Sequence, residues 1–170
     1  MVKRNIAKFL TEVAQMVDSS YRDGIKIEGR LLAESFDPQG NLKKSQYLKN
    51  TVPDVGEIHI ADQLAASPGE TAMTKMSVGT GTTVTDETAT ALNTIIAGWG
   101  TDQSISSRTH TNQVITYVCT FTAGAGGATV TEACINNTDG TPILLTYNDG
   151  LSQALNENDT LQITWTLTIS

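Results

Sequence analysis

The segment DTLQITWTLTIS, residues 159–170, sets Leu161, Ile163, Trp165, Leu167 and Ile169 on every second position, with Gln162, Thr164, Thr166 and Thr168 between them. A period of two is the signature of a β-strand with one buried face, because successive side chains point to opposite sides of a sheet. The stretch contains no Lys and no Pro, residues that keep an exposed sheet edge from pairing with another chain. Its edges are therefore expected to be covered, by its own sheet or by a neighbouring subunit.

The wider composition agrees with a β protein. The chain has 170 residues, enough for one domain or one domain with an arm. It holds 26 Thr, 24 of them after residue 70, and only 5% aromatics. β-branched Thr suits a half-solvated pleated surface and is a poor helix former. Strands are expected near 104–110, 113–123, 128–136, 142–148 and 160–169, separated by Gly and Asn/Asp turns. A roughly 10–15-residue spacing of this kind points to a mainly β fold with an antiparallel β-sandwich or jelly-roll-like body.

Upstream, 25–36 reads as one strand or two short ones. Asp37-Pro38-Gln39-Gly40 is a turn, since Pro presets φ and Gly permits its positive value. Residues 41–52 read as a loosely paired strand, 56–66 as a short helix or strand, and 73–83 as a strand running into a Gly turn. Residues 85–98 read as a short helix, with Thr85 or Asp86 as cap and Gly98 as stop. In 114–136, a two-residue turn at Gly126-Gly127 would make a hairpin with Cys119 opposite Cys134 and Phe121 opposite Glu132. That register leaves two readings of the thiols: apolar side chains packed together, or a cross-strand disulfide.

Residues 3–20, KRNIAKFLTEVAQMVDSS, place Ile6, Phe9, Leu10, Val13, Met16 and Val17 at helical spacing, with Lys8, Glu12, Gln15 and Asp18 on the other side. This predicts an N-terminal amphipathic helix. The texture changes near residue 53 from charged to Thr/Gly-rich, so 1–53 is expected to be a helix and arm and 54–170 the β body. The candidate partner-binding residues are Ile6, Phe9, Leu10, Val13 and Val17, with Lys3, Arg4 and Lys8 beside them. The same face could instead pack on the chain's own sheet body.

Charge and motifs exclude several function classes. Nine of the eleven Lys and Arg lie in residues 1–50, whereas the chain as a whole carries a net charge of −7. That balance argues against nucleic acid, whose phosphates call for cations. Apolar runs are too short to span a membrane. His59 and His110 lack a His or Cys partner at ligand spacing, so no metal is expected. VGTGTT (78–83) lacks the further residues of a dinucleotide or phosphate loop, and its expected meaning is a tight turn. No nucleophile elbow occurs. The expectation is no catalytic residue, no cofactor and no enzyme activity. Trp99, between glycines, is read as exposed, and Trp165 as core.

Several ordered segments resemble a widespread group of small structural proteins of tailed bacteriophages. They are IADQLAA (60–66), KMSVGTGTTVTDETATALNT (75–94), Arg108, NQVITYVCTFTAGAGGATVTEACINN (112–137) and the closing DTLQITWTLTIS. Cys134 stands where that group usually has Gly after Thr-Glu-Ala. The resemblance covers about residues 56–170. It implies an oligomeric virion component, often with a β-sandwich body, assembled in the bacterial host cytoplasm and binding other virion proteins. The expected role is a capsid-associated auxiliary (decoration) protein on the major capsid protein, as a homo-oligomer with a trimer favoured. A neck or tail attachment protein is the alternative. A receptor- or glycan-binding fibre module would use Trp99, Tyr147 and the loops at 136–141 and 148–150.

Overall fold

A computed structural model of the chain describes residues 26–65, 71–82, 87–137 and 143–170. The fold is mainly β with antiparallel sheets and, among the described residues, one α-helix. The strands are β1 (Ile27–Phe36), β2 (Leu42–Lys49), β3 (Lys75–Gly79), β4 (Gln103–Ser104), β5 (Ser107–Thr111) and β6 (Val114–Thr122). They continue with β7 (Ala128–Val130), β8 (Glu132–Asn136), β9 (Leu144–Asn148), β10 (Gln153–Leu155) and β11 (Thr160–Ile169). The helix α1 is Asp54–Leu64.

The alternating segment is β11, and it is the middle strand of a five-stranded sheet ordered β2-β1-β11-β6-β5. Both of its edges are paired, which removes the aggregation hazard of so regular a strand. Leu161, Ile163, Trp165 and Leu167 are buried and the intervening side chains are half-exposed. Direct cross-strand partners carry the buried face over three strands. Leu31, Trp165 and Tyr117 form one row, Ala33, Ile163 and Cys119 the next, and Ser35, Leu161 and Phe121 the third. Such cross-strand neighbours are the packing unit of a sheet.

A second sheet of four strands has the order β4-β3-β8-β9. Met76, Val78, Ala133, Ile135 and Leu145 from this sheet join Leu31, Phe121, Ile163 and Trp165 from the first in one buried cluster. This shared core is what a sandwich-like arrangement requires. The second sheet is covered on its far side too, where Cys134, Leu144 and Tyr147 pack with Val55 and Leu92. A register shift between Ile135 and Asn136 explains the assignment of β9 side chains. It lets Leu144 and Tyr147, three apart in sequence, share one side while Leu145 turns into the main core.

The helix α1 lies over β9. A Cβ at Gly56 would stand 2.4 Å from the Leu145 carbonyl oxygen and 2.9 Å from that of Leu144. In an exposed helix Gly→Ala stabilises by roughly 1 kcal/mol. Here the neighbours are backbone atoms, so Gly56→Ala is expected to destabilise by roughly 1–3 kcal/mol through overpacking. Urea unfolding of the two proteins checks the sign.

Several expectations are corrected. Residues 87–98 are irregular chain, not helix. They lie along the end of β3 beyond its short pairing with β4, where Thr80 N donates to Thr94 O at 2.8 Å and Ile96 N to Val78 O at 3.0 Å. The backbone of β3 that β4 leaves unpaired offers those amides partners, and the β-branched Thr88, Thr90 and Thr94 weaken the competing helix. The turn at Gly126-Gly127 exists, with φ of 83° and 61°. It does not pair β6 with β8, however, because the two strands belong to different sheets. Cys119 faces Ile163, while Cys134 lies between Ser77 and Tyr147. Residues 27–49 form β1 and β2 inside the main sheet, although the sequence reading set 1–53 apart as an arm. The expected N-terminal helix lies outside the described residues.

Candidate functional site

The most densely bonded polar group is the Glu132 carboxylate, fully buried at the start of β8. Its Oε1 accepts from Gly81 N at 2.9 Å and Thr94 N at 2.7 Å. Its Oε2 accepts from Tyr147 Oη at 2.7 Å, Asn93 N at 2.9 Å and Asn93 Nδ2 at 3.3 Å. A buried carboxylate is tolerable only when its lone pairs are filled in this way. Burial pushes the carboxyl up, but the hydrogen bonds from Tyr147, Thr94, Asn93 and Gly81 outweigh it and hold the group below the ordinary glutamate range.

Gly79 and Gly81 make this approach possible. A Cβ on Gly79 would stand 2.3 Å from Glu132 Oε1 and 2.5 Å from Thr94 O, and one on Gly81 would stand 2.5 Å from the same carboxylate oxygen. Neither glycine has a positive φ. The VGTGTT glycines therefore serve close packing of backbone on a carboxylate and not the tight turn expected of them. Sequence reasoning missed Glu132. The signal was present in Thr-Glu-Ala followed by an apolar strand, since an acid opening a wholly buried strand must find donors.

A second clamp starts the alternating strand. Asp159, 1% exposed, is ion-paired with Lys43 of β2 and accepts from Asn156 N at 2.6 Å. The Lys43 ammonium, then the Asn156 amide, hold its carboxyl below the usual range. Gln153 of β10 is equally buried, and its carboxamide accepts from Ser35 Oγ at 2.8 Å and donates to Ala33 O at 3.2 Å. These side chains join strands. None of them opens onto a cavity.

An apolar hollow of about 240 Å³ lies between α1 and the main sheet, lined by Ile60, Leu64, Ile27, Ile115, Leu167 and Ile169, with His59 and Arg108 at its wall. His59 is 4% exposed and His110 is exposed on β5. Among the described residues, no group of three or more His, Cys, Asp or Glu side chains is arranged to hold a metal ion. Trp165 is core, as its spacing implied, and Trp99 is half-buried against Gly124 rather than free. Tyr147, one of the candidate glycan-stacking residues, is 2% exposed and points at Glu132, so it offers no platform. The candidate partner-binding residues Ile6, Phe9, Leu10, Val13, Val17, Lys3, Arg4 and Lys8 lie outside the described residues.

Cys119 and Cys134 are both buried and unpaired. Burial raises the Cys119 thiol to about 11 and the Cys134 thiol further still. The thiolate is the reactive form. Neither thiol is expected to react with iodoacetamide in the folded protein, and both should react after unfolding in denaturant. Mass spectrometry of the labelled chain reads the result directly.

No protein-family model, curated protein or solved structure matches this chain.

Proposed function

We propose that this chain is a structural component of a tailed-bacteriophage particle. It acts by binding other virion proteins as a symmetric homo-oligomer, with a capsid-associated auxiliary role as the first reading. The observation that carries the proposal is the junction at Glu132. Two of the segments on which the phage resemblance rests, 75–94 and 112–137, meet at this carboxylate, where Glu132 of the second accepts from Gly81, Asn93 and Thr94 of the first. A motif used in this way specifies architecture, which is what related particle components would share. The sheet edge at β5 adds support. All five of its residues are exposed, and Arg108, whose guanidinium donates to Met73 O, is its one permanently charged side chain, whereas β2 at the opposite edge carries Lys43, Lys44 and Lys49. An edge with a single charged guard is a surface on which a further chain can pair.

On this reading the protein is non-enzymatic and resides in the virion. The test is mass spectrometry and labelled imaging of purified particles from the virus that encodes it. Label at symmetric positions over the head surface is the expected result. Label at the head–tail junction would move the assignment to a neck or tail component. Absence from purified particles would overturn it. Light scattering of the isolated protein should give the mass of a trimer.

A further inference from the structure

We propose that the groove between α1 and the main sheet is the seat of the chain's own residues 3–20, held through the apolar stripe Ile6, Phe9, Leu10, Val13 and Val17. This inference stands independently of the virion reading.

The groove is apolar and open. Leu64 at its rim is 71% exposed, although Leu64 and Ile60 stand one helical turn apart on the face of α1 that looks into it. Ile27, Ile115 and Ile169 line the sheet side and are only half-buried. Contiguous apolar surface of this kind marks a docking site.

Connectivity names the occupant. Ile27 lines the groove, and Lys26 beside it is anchored by paired backbone bonds with Ser170 at 2.7 and 2.8 Å. The 25 residues upstream therefore enter the fold at the rim of the groove. An eighteen-residue helix is about 27 Å long. The eight residues between Val17 and Lys26 can extend over roughly 26–29 Å, ample to let the stripe fold back. So short a tether keeps the segment at millimolar effective concentration, which favours the chain's own copy over a neighbour's.

Charge agrees. The α1 sequence DVGEIHIADQL contains Asp54, Glu57 and Asp62, no Lys or Arg, and no basic residue in the last turn to meet the negative pole of the helix. The first ten residues of the chain carry Lys3, Arg4 and Lys8 and no acid. A stripe seated here is covered, so the partner contact expected of it would require its release from the groove.

Hydrogen exchange on the full chain tests the proposal. Amides of residues 6–17 are expected to exchange at least tenfold more slowly than an unstructured peptide. In Leu64→Asp that protection should be lost while β11 stays protected. Unprotected amides in the wild type, or protection that Leu64→Asp leaves unchanged, would overturn the seat. A nitroxide on Ala65→Cys should broaden the signals of residues 6–17 in the same chain. If it broadens them only in co-refolded mixtures of spin-labelled and isotope-labelled chains, the occupant is a neighbouring copy and the proposal fails in that respect.

Discussion

Glu132→Ala is expected to destabilise the protein by about 4 kcal/mol. The substitution removes the acceptor of three backbone amides and of the Tyr147 hydroxyl. Those donors would be left in a buried site, and each unsatisfied buried donor costs roughly 1–3 kcal/mol before relaxation or water entry recovers a part. Glu132→Gln keeps the shape and one acceptor oxygen, so roughly half of that loss is expected. Urea denaturation followed by tryptophan fluorescence gives both values. A loss under about 1 kcal/mol for the alanine variant would show that the junction does not hold Gly81, Asn93 and Thr94 in place.

The same group sets an acid limit. Its folded pKa lies below the ordinary glutamate value, and those of Asp37 and Asp159 lie below the ordinary aspartate value. A depressed folded pKa means that the unfolded chain takes up the proton first as pH falls. The stabilisation is therefore fully present above the unfolded glutamate value of about 4.3 and is lost as pH falls through the lower folded value. The urea midpoint should drop between pH 6 and pH 3, and the drop should be smaller in Glu132→Gln. An equal drop in both proteins would assign the acid sensitivity to the other carboxylates.

Trp165→Ala is expected to cost roughly 3–5 kcal/mol, because it empties the largest fully buried side chain from the centre of the core. The effect of Trp165→Phe should be far smaller. Trp165 Nε1 is buried with no hydrogen-bond partner, so removing it relieves a desolvated donor while the ring volume shrinks. The two effects oppose each other, and the phenylalanine variant should fall within about 1 kcal/mol of the wild type. Thermal unfolding of the pair separates lost volume from lost polarity.

The strand at 160–169 and the runs at 27–36 and 114–122 were legible because one face of each segment is buried by local alternation. Residues 85–98 misled for the opposite reason. Capping residues and a final Gly read as helix, while the competing partners, the part of β3 that β4 leaves unpaired and the Glu132 carboxylate, come from chain positions that no local window includes. The short β10 escaped notice because its buried polar Gln153 breaks the apolar pattern, and only its bonds to Ser35 and Ala33 make that burial tolerable. The hairpin register failed because two glycines fix a turn but not which strands it joins.

The amino-acid order alone determined the class of fold, the alternation that buries one face of β11, the core position of Trp165 and the absence of recognisable catalytic spacing. Those are local properties, written in periods of two and in the chemistry of neighbouring residues. Only the tertiary structure decided that β11 is the central strand and that Cys119 and Cys134 occupy different sheets. It also decided that Glu132 draws 81, 93, 94 and 147 to one point, and that the groove beside α1 opens where the upstream chain enters. Each of these depends on which distant segments meet, and the energies that choose among such pairings belong to contacts across sheets rather than to any stretch read by itself.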